Sequence, residues 1–114
     1  MASIMDFSIW IDSLKKSDKA VIVEGKKDVI ALKKHGINKI IKLTTKPLYK
    51  LIEEISNTYN EVIILTDLDK EGKKLYKILR HNLQKRKVKV DNKFRKILYD
   101  LNITNIESIV NIIP

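Results

Sequence analysis

The sequence predicts one parallel α/β domain, and three observations carry that expectation. Four short apolar runs alternate with stretches whose apolar residues recur at the three-to-four spacing of a helix. The third run, "EVIILT" (61–66), is apolar almost throughout, as a central parallel strand must be when helices cover both its faces. Acidic residues stand directly after the first and third runs, at the strand ends where parallel sheets bind ligands. At 114 residues the chain fits a single domain with one modest core.

The elements follow in order. Residues 4–16 space Phe7, Trp10, Ile11 and Leu14 as one face of an amphipathic helix. "KAVIV" (19–23) is a buried strand bounded by charge. Residues 26–35 read as a helix with Val29, Ile30 and Leu32 inward and Gly36 as its stop. "NKIIKL" (38–43) is the second strand. Pro47 favours a helix start, with Thr45 placed to cap it, and Leu48, Leu51, Ile52 and Ile55 keep helical spacing to about residue 57. After the third strand, Leu75, Ile78, Leu79 and Leu83 mark a helix from residue 70. "KVKV" (87–90) is a more polar strand, expected nearer an edge. Phe94, Ile97, Leu98 and Leu101 predict a further helix, and Ile106, Ile109, Val110 and Ile113 a last short one. Strands alternating with helices give a parallel sheet with helices on its faces and right-handed crossovers.

Composition narrows the function classes. Without cysteine there is no disulfide framework and no thiolate metal site. Asp6 and Asp12 interrupt the one apolar N-terminal stretch, and no segment has the roughly 18 apolar residues of a membrane helix. A soluble cytoplasmic protein without membrane contact is the expectation. The formal net charge is +9, and it is concentrated: residues 70–96 hold twelve bases but only two acids, Glu71 and Asp91. Such a block suits a polyanion, DNA or RNA, with Lys73, Lys77 and Arg80 as phosphate contacts; a solvated helix face is the plainer alternative. Phosphate loops of the GxGxxG and GxxxxGK[ST] types are absent, as is a nucleophile elbow. His35 and His81 have no partner at metal spacing and are expected at the surface.

The candidate chemistry lies at the strand exits. "VIVEGKKD" (21–28) sets Glu24 directly after a strand, with Gly25 leaving room for close approach. "VIILTDLDKEG" (62–72) sets Asp67 and Asp69 two apart, so that in extended backbone both carboxylates face one way. If the first and third strands are neighbours, three carboxylates share one region, and a divalent cation relieves their repulsion. Asp69 has a second use, as the cap of the following helix. Asp28 either favours the helix dipole or orients Lys26, and Lys26 either reaches a phosphate or is simply exposed.

Together these two stretches resemble the motifs of the Toprim domain, the catalytic module of topoisomerases, bacterial-type primases, OLD-family nucleases and the 5S ribosomal RNA maturase. The first motif stands here as Glu24, Gly25 and Asp28; the second as Asp67, Asp69 and Gly72, about 40 residues on. The resemblance covers roughly residues 18–100, and the length and "KVDNKFRKIL" are similar to small stand-alone archaeal Toprim proteins. It implies a Rossmann-like fold with about four parallel strands, a Toprim domain over 18–114, and an N-terminal helix (1–17) packed on it. It also implies Mg²⁺ chemistry on phosphodiesters, with Mn²⁺ or Ca²⁺ able to substitute. Glu24 matches the glutamate of acid–base work or metal ligation, and Asp67 and Asp69 match the metal-binding pair. Gly25, Lys26, Asp28 and Gly72 support them. Thr44 and Thr45 stand where many relatives have a glycine-containing loop. The expected function is a Mg²⁺-dependent nuclease or phosphodiesterase. The alternative is a non-catalytic accessory subunit that binds metal and nucleic acid beside other processing proteins. A purely structural domain is the third. No nucleophile-bearing, zinc-binding or additional RNA-binding domain fits in this length, and the sequence does not indicate an oligomeric state.

Overall fold

A computed structural model describes residues 4–110, with side chains from 6 to 108. Among the described residues four strands are present: β1 (Ala20–Val23), β2 (Ile40–Lys42), β3 (Glu61–Ile64) and β4 (Lys89–Asp91). The helices are α1 (Ile4–Ser17), α2 (Lys26–Lys34), α3 (Leu48–Thr58), α4 (Lys70–Lys85), α5 (Lys93–Asp100) and α6 (Ile106–Val110), with a 3₁₀ turn over Leu43–Thr45. All strand pairs are parallel and the order is β2-β1-β3-β4, so β1 and β3 are the central strands. The polar β4 is an edge strand.

The two-residue period of the strands divides the core into two layers. Val21, Val23, Ile63 and Leu65 face Phe7 and Trp10 of α1, Leu32 of α2, Phe94 and Leu98 of α5, and Ile106 of α6. Ala20, Ile22, Val62 and Ile64 face Leu51, Ile52 and Ile55 of α3 and Leu79 and Leu83 of α4. Every one of these strand residues is buried, which explains why β1 and β3 read as continuous apolar runs. Truncating Ile22 or Ile63 to alanine would cost roughly 2–5 kcal/mol each. Trp10 ties α1 to α5: its ring meets Phe94 edge-on at 6.1 Å, and its indole N–H donates to the Phe94 carbonyl at 3.0 Å. Lys19, just before β1, bridges to Glu61 of β3 (3.3 Å) and Asp91 of β4 (2.8 Å).

Helices α2, α4 and α5 end in one way. The residue after each cap has positive φ: Gly36 (84°), Lys87 (66°) and Asn102 (58°). The next residue, Ile37, Val88 or Ile103, returns its N–H to the carbonyl of Leu32, Leu83 or Leu98. This is the Schellman arrangement, with its apolar contact against the last turn.

Some local expectations are corrected. Ile30 is 56% exposed rather than inward. The buried side of α2 is Asp28, Ala31 and Leu32, and Ile30 lies two residues from both Asp28 and Leu32, about 200° round the helix. Thr45 does not cap α3. Pro47 holds the cap position, and the Thr45 hydroxyl instead donates to the Lys42 carbonyl at 3.0 Å, closing the 3₁₀ turn. His35 is half-buried, and among the described residues its Nε2 is enclosed without a partner; His81 is exposed. Ile113 lies outside the described residues, as do the side chains of Ile109 and Val110.

Candidate functional site

Because β1 and β3 pair in parallel, with Val21 level with Ile63 and Ile22 with Ile64, their carboxyl ends leave the sheet side by side. The pairing continues past β3, where Leu65 donates its N–H to the Ile22 carbonyl at 2.8 Å. Beyond it the partner becomes a side chain. The Asp67 N–H donates to Oε2 of Glu24 at 2.6 Å, so the glutamate that ends one strand is fixed by the backbone that ends the other. This adjacency links the two motifs, 43 residues apart in sequence.

The following turn shows why its residues are spaced as they are. Asp69 caps α4, its Oδ1 accepting from the Gly72 N–H at 2.7 Å. The Thr66 hydroxyl donates to the Gly72 carbonyl at 2.8 Å, folding the first turn of α4 back over the strand exit. A Cβ on Gly72 would overlap the Asp67 backbone carbonyl, so this close approach requires glycine. Gly25 is different. Its backbone is extended, as any residue allows, and nothing lies within 4 Å of where its Cβ would be. It leaves open space beside Glu24.

Asp28 is the third residue of α2 and turns back, its Oδ2 accepting from the Gly25 N–H at 3.3 Å. Burial pushes its carboxyl above the ordinary range; the Gly25 N–H opposes that shift and the Glu24 charge adds to it. Asp67 is displaced further, up to about 6, first by burial and then by the charges of Glu24, Asp28 and Asp69, with Arg95 acting against them. Four carboxylates therefore act on one another at the ends of β1 and β3. The donors are hard oxygens, suited to Mg²⁺, Mn²⁺ or Ca²⁺ rather than zinc. Glu24 and Asp69 each commit one oxygen to a backbone N–H and keep the other. Among the described residues no three His, Cys, Asp or Glu side chains converge closely enough to form a ready-made metal cage.

Sequence reasoning missed one site residue, Arg95. It stands within the basic block of residues 70–96, yet it is only 6% exposed. Its guanidinium donates to the Thr66 carbonyl, to Thr66 Oγ1 at 2.9 Å and to the Asp67 carbonyl at 3.0 Å. It also lies over the Tyr76 ring, 4.5 Å from its centre. Arg95 thus holds the strand exit from beneath, and burial pulls its guanidinium below the usual value while Tyr76, Glu24 and Asp67 work against that. Nothing local marks it in the sequence, where it is one of three arginines in the block. The Leu68 N–H, donating to the Thr104 carbonyl at 2.7 Å, anchors the same loop from the other side.

The remaining candidates lie around this centre. Lys26 and Lys27 are exposed at the start of α2. Lys73, Lys77 and Arg80 are exposed on one face of α4 and line a groove of about 370 Å³ against α5; Leu68, between the two aspartates, also lines it.

A family model for the Toprim domain matches residues 19–99. A UPF0292 protein of Pyrococcus abyssi is 41% identical over 110 residues, covering 93% of this chain and 83% of the relative. Another, of Methanocaldococcus jannaschii, is 34% identical over 101 residues, covering 84% and 79%. A solved protein from Aquifex aeolicus superposes with a TM-score of 0.83 at 34% identity, covering 89% of this chain and 95% of its own. The Aquifex aeolicus primase structure, comprising its zinc-binding and RNA polymerase domains, matches with a TM-score of 0.58 at 21% identity. That likeness is one of fold, and the chain spans 27% of the primase structure.

Proposed function

We propose a nucleic-acid-processing function from one premise: the chain belongs to the Toprim family. In its finer form it is a phosphodiesterase that depends on a divalent cation and acts on DNA or RNA. The observation that carries this is the condition of Asp67. Its carboxyl is driven up to about 6, first by burial and then by three neighbouring carboxylates, and its N–H is bonded to Glu24, which open space at Gly25 adjoins. Carboxylates that raise one another's proton affinity are suited to a cation and costly without one.

Glu24, Asp67 and Asp69 would hold the ion, Mg²⁺ or its substitutes Mn²⁺ and Ca²⁺. Bound there, it would supply Lewis-acid stabilisation of phosphate oxygens and lower the pKa of an attacking water. The chain's own residues do the rest. Glu24, oriented by the Asp67 N–H, accepts a proton at its second carboxylate oxygen. Asp28 restrains Gly25 and keeps the β1–α2 turn in place. Arg95 fixes Asp67 through its backbone carbonyl, leaving the carboxylate free to face the ligand. Lys73, Lys77 and Arg80, with Lys26 at the start of α2, contact phosphates.

The test is incubation of pure protein with labelled DNA and RNA in Mg²⁺, Mn²⁺ or EDTA, alongside Glu24→Gln. Cleavage that EDTA and Glu24→Gln both abolish is the expected result. Binding without cleavage under every condition would replace the enzyme with a metal- and nucleic-acid-binding accessory subunit. Neither binding nor cleavage would overturn both.

A further inference from the structure

The groove between α4 and α5 has a composition that phosphate contact alone does not explain. From α4 it takes Lys73, Tyr76, Lys77 and Arg80. From α5 and its cap it takes Asn92, Arg95, Lys96 and Tyr99. Each set follows the spacing i, i+3, i+4, i+7, so each is a single helical face, and the two faces border one groove. Five of its lining residues are cations and none is acidic. Among them stand two tyrosines.

Tyr99 is 59% exposed. Lys73 Nζ lies 5.5 Å from its ring centre. Leu68, Lys73 and Tyr99 also line an adjoining depression of about 520 Å³, so Tyr99 stands between two spaces. Tyr76 has the Arg95 guanidinium on its ring. Both spaces are of a size that takes small planar groups. Leu68, which also lines the groove, is flanked in sequence by Asp67 and Asp69.

We infer that this groove binds single-stranded nucleic acid, with a base stacked on Tyr99 and phosphates held by Lys73, Lys77, Arg80 and Lys96. Aromatic rings interleaved with cations recognise a strand whose bases are free to stack. A duplex keeps its base faces inside and offers phosphates and groove edges, which a tyrosine hydroxyl can contact but on which its ring face cannot stack. The inference rests on the nucleic-acid reading above and narrows its substrate to a single strand fed past Leu68 toward Asp67 and Asp69.

The test measures binding of the full chain, in EDTA, to labelled single strands of DNA and RNA and to duplexes of equal length over a salt series. Single strands should bind more tightly. Tyr99→Ala should weaken single-strand binding roughly five- to a hundredfold with an unchanged salt slope, and leave duplex binding as it was. Tyr99→Phe should retain the affinity, and Tyr99→Leu, which keeps bulk but loses the aromatic face, should not. Duplex binding as tight as single-strand binding would overturn the inference and leave the proposed function standing. So would unchanged single-strand binding in Tyr99→Ala and Tyr99→Leu. Wild-type protein that binds neither would overturn the proposed function itself.

Discussion

Asp67 is ionised at neutral pH against the pull of its surroundings. Its carboxyl shifts from 3.8 to about 6, so the folded chain holds this proton more tightly than the unfolded chain does. The resulting stabilisation is present in acid and is lost as pH rises through about 6. Asp67→Asn, which cannot ionise, should therefore melt higher than wild type above pH 6, and the gap should close toward pH 4. A gap that stays constant across that range in thermal melts would show that Asp67 is not perturbed. Gly72 poses a steric question instead. Gly72→Ala puts a methyl group into the Asp67 carbonyl and should cost roughly 1–3 kcal/mol in denaturant unfolding. A neutral result would mean that the strand exit tolerates a looser turn.

The helix ends deliver the chain from one element to the next, and one of them is strained. Lys87 occupies a left-handed position at the end of α4 (φ 66°) that glycine fills at the end of α2. Lys87→Gly should stabilise the protein by roughly 1 kcal/mol, read from the denaturation midpoint. Lys87 does not line the α4–α5 groove, so nucleic-acid binding should hardly change. At the other end of α4, Asp69→Ala removes the bond to Gly72 and should cost about 1 kcal/mol before any ligand is considered. Elements were legible where a single period dominated: β1 and β3 are buried on both faces, and α1 presents Phe7, Trp10, Ile11 and Leu14 inward. Ile30 was not, because a polar residue, Asp28, holds the inward position that an apolar residue usually takes. Arg95 was not legible either. Its burial depends on Thr66 and Asp67, 29 and 28 residues away, and a count of charges cannot reveal such contacts. Glu24 and Asp67 were legible because parallel pairing of two apolar runs brings their ends together whatever lies between.

At the scale of the whole molecule, the sheet order concentrates negative charge at the exits of β1 and β3, while α4 and α5 present cations beside it. The chain carries a net +9, yet the groove draws on only part of the basic block: Lys93 lies over the Phe94 ring, and Arg95, though it lines the groove, is buried and donates to Thr66 and Asp67. Replacing Lys73, Lys77 and Arg80 together with alanine should weaken nucleic-acid binding on all sequences alike. It should also flatten the salt dependence by about one unit of slope per lost phosphate contact. Unchanged binding at every salt concentration would reduce these residues to a solvated face. If, as proposed, the carboxylates act by local geometry and the cations by long-range charge, the two groups should separate cleanly under mutation. Calorimetric titration of Mn²⁺ into wild type and Asp67→Asn, at pH 5 and pH 7.5, tests the proposed metal centre most directly. Wild type should bind at pH 7.5, bind more weakly at pH 5 where Asp67 holds its proton, and lose more than about tenfold in affinity in the variant. Equal Mn²⁺ affinity in the two proteins, or no binding to wild type at pH 7.5, would contradict the assignment of Glu24, Asp67 and Asp69 as a metal site.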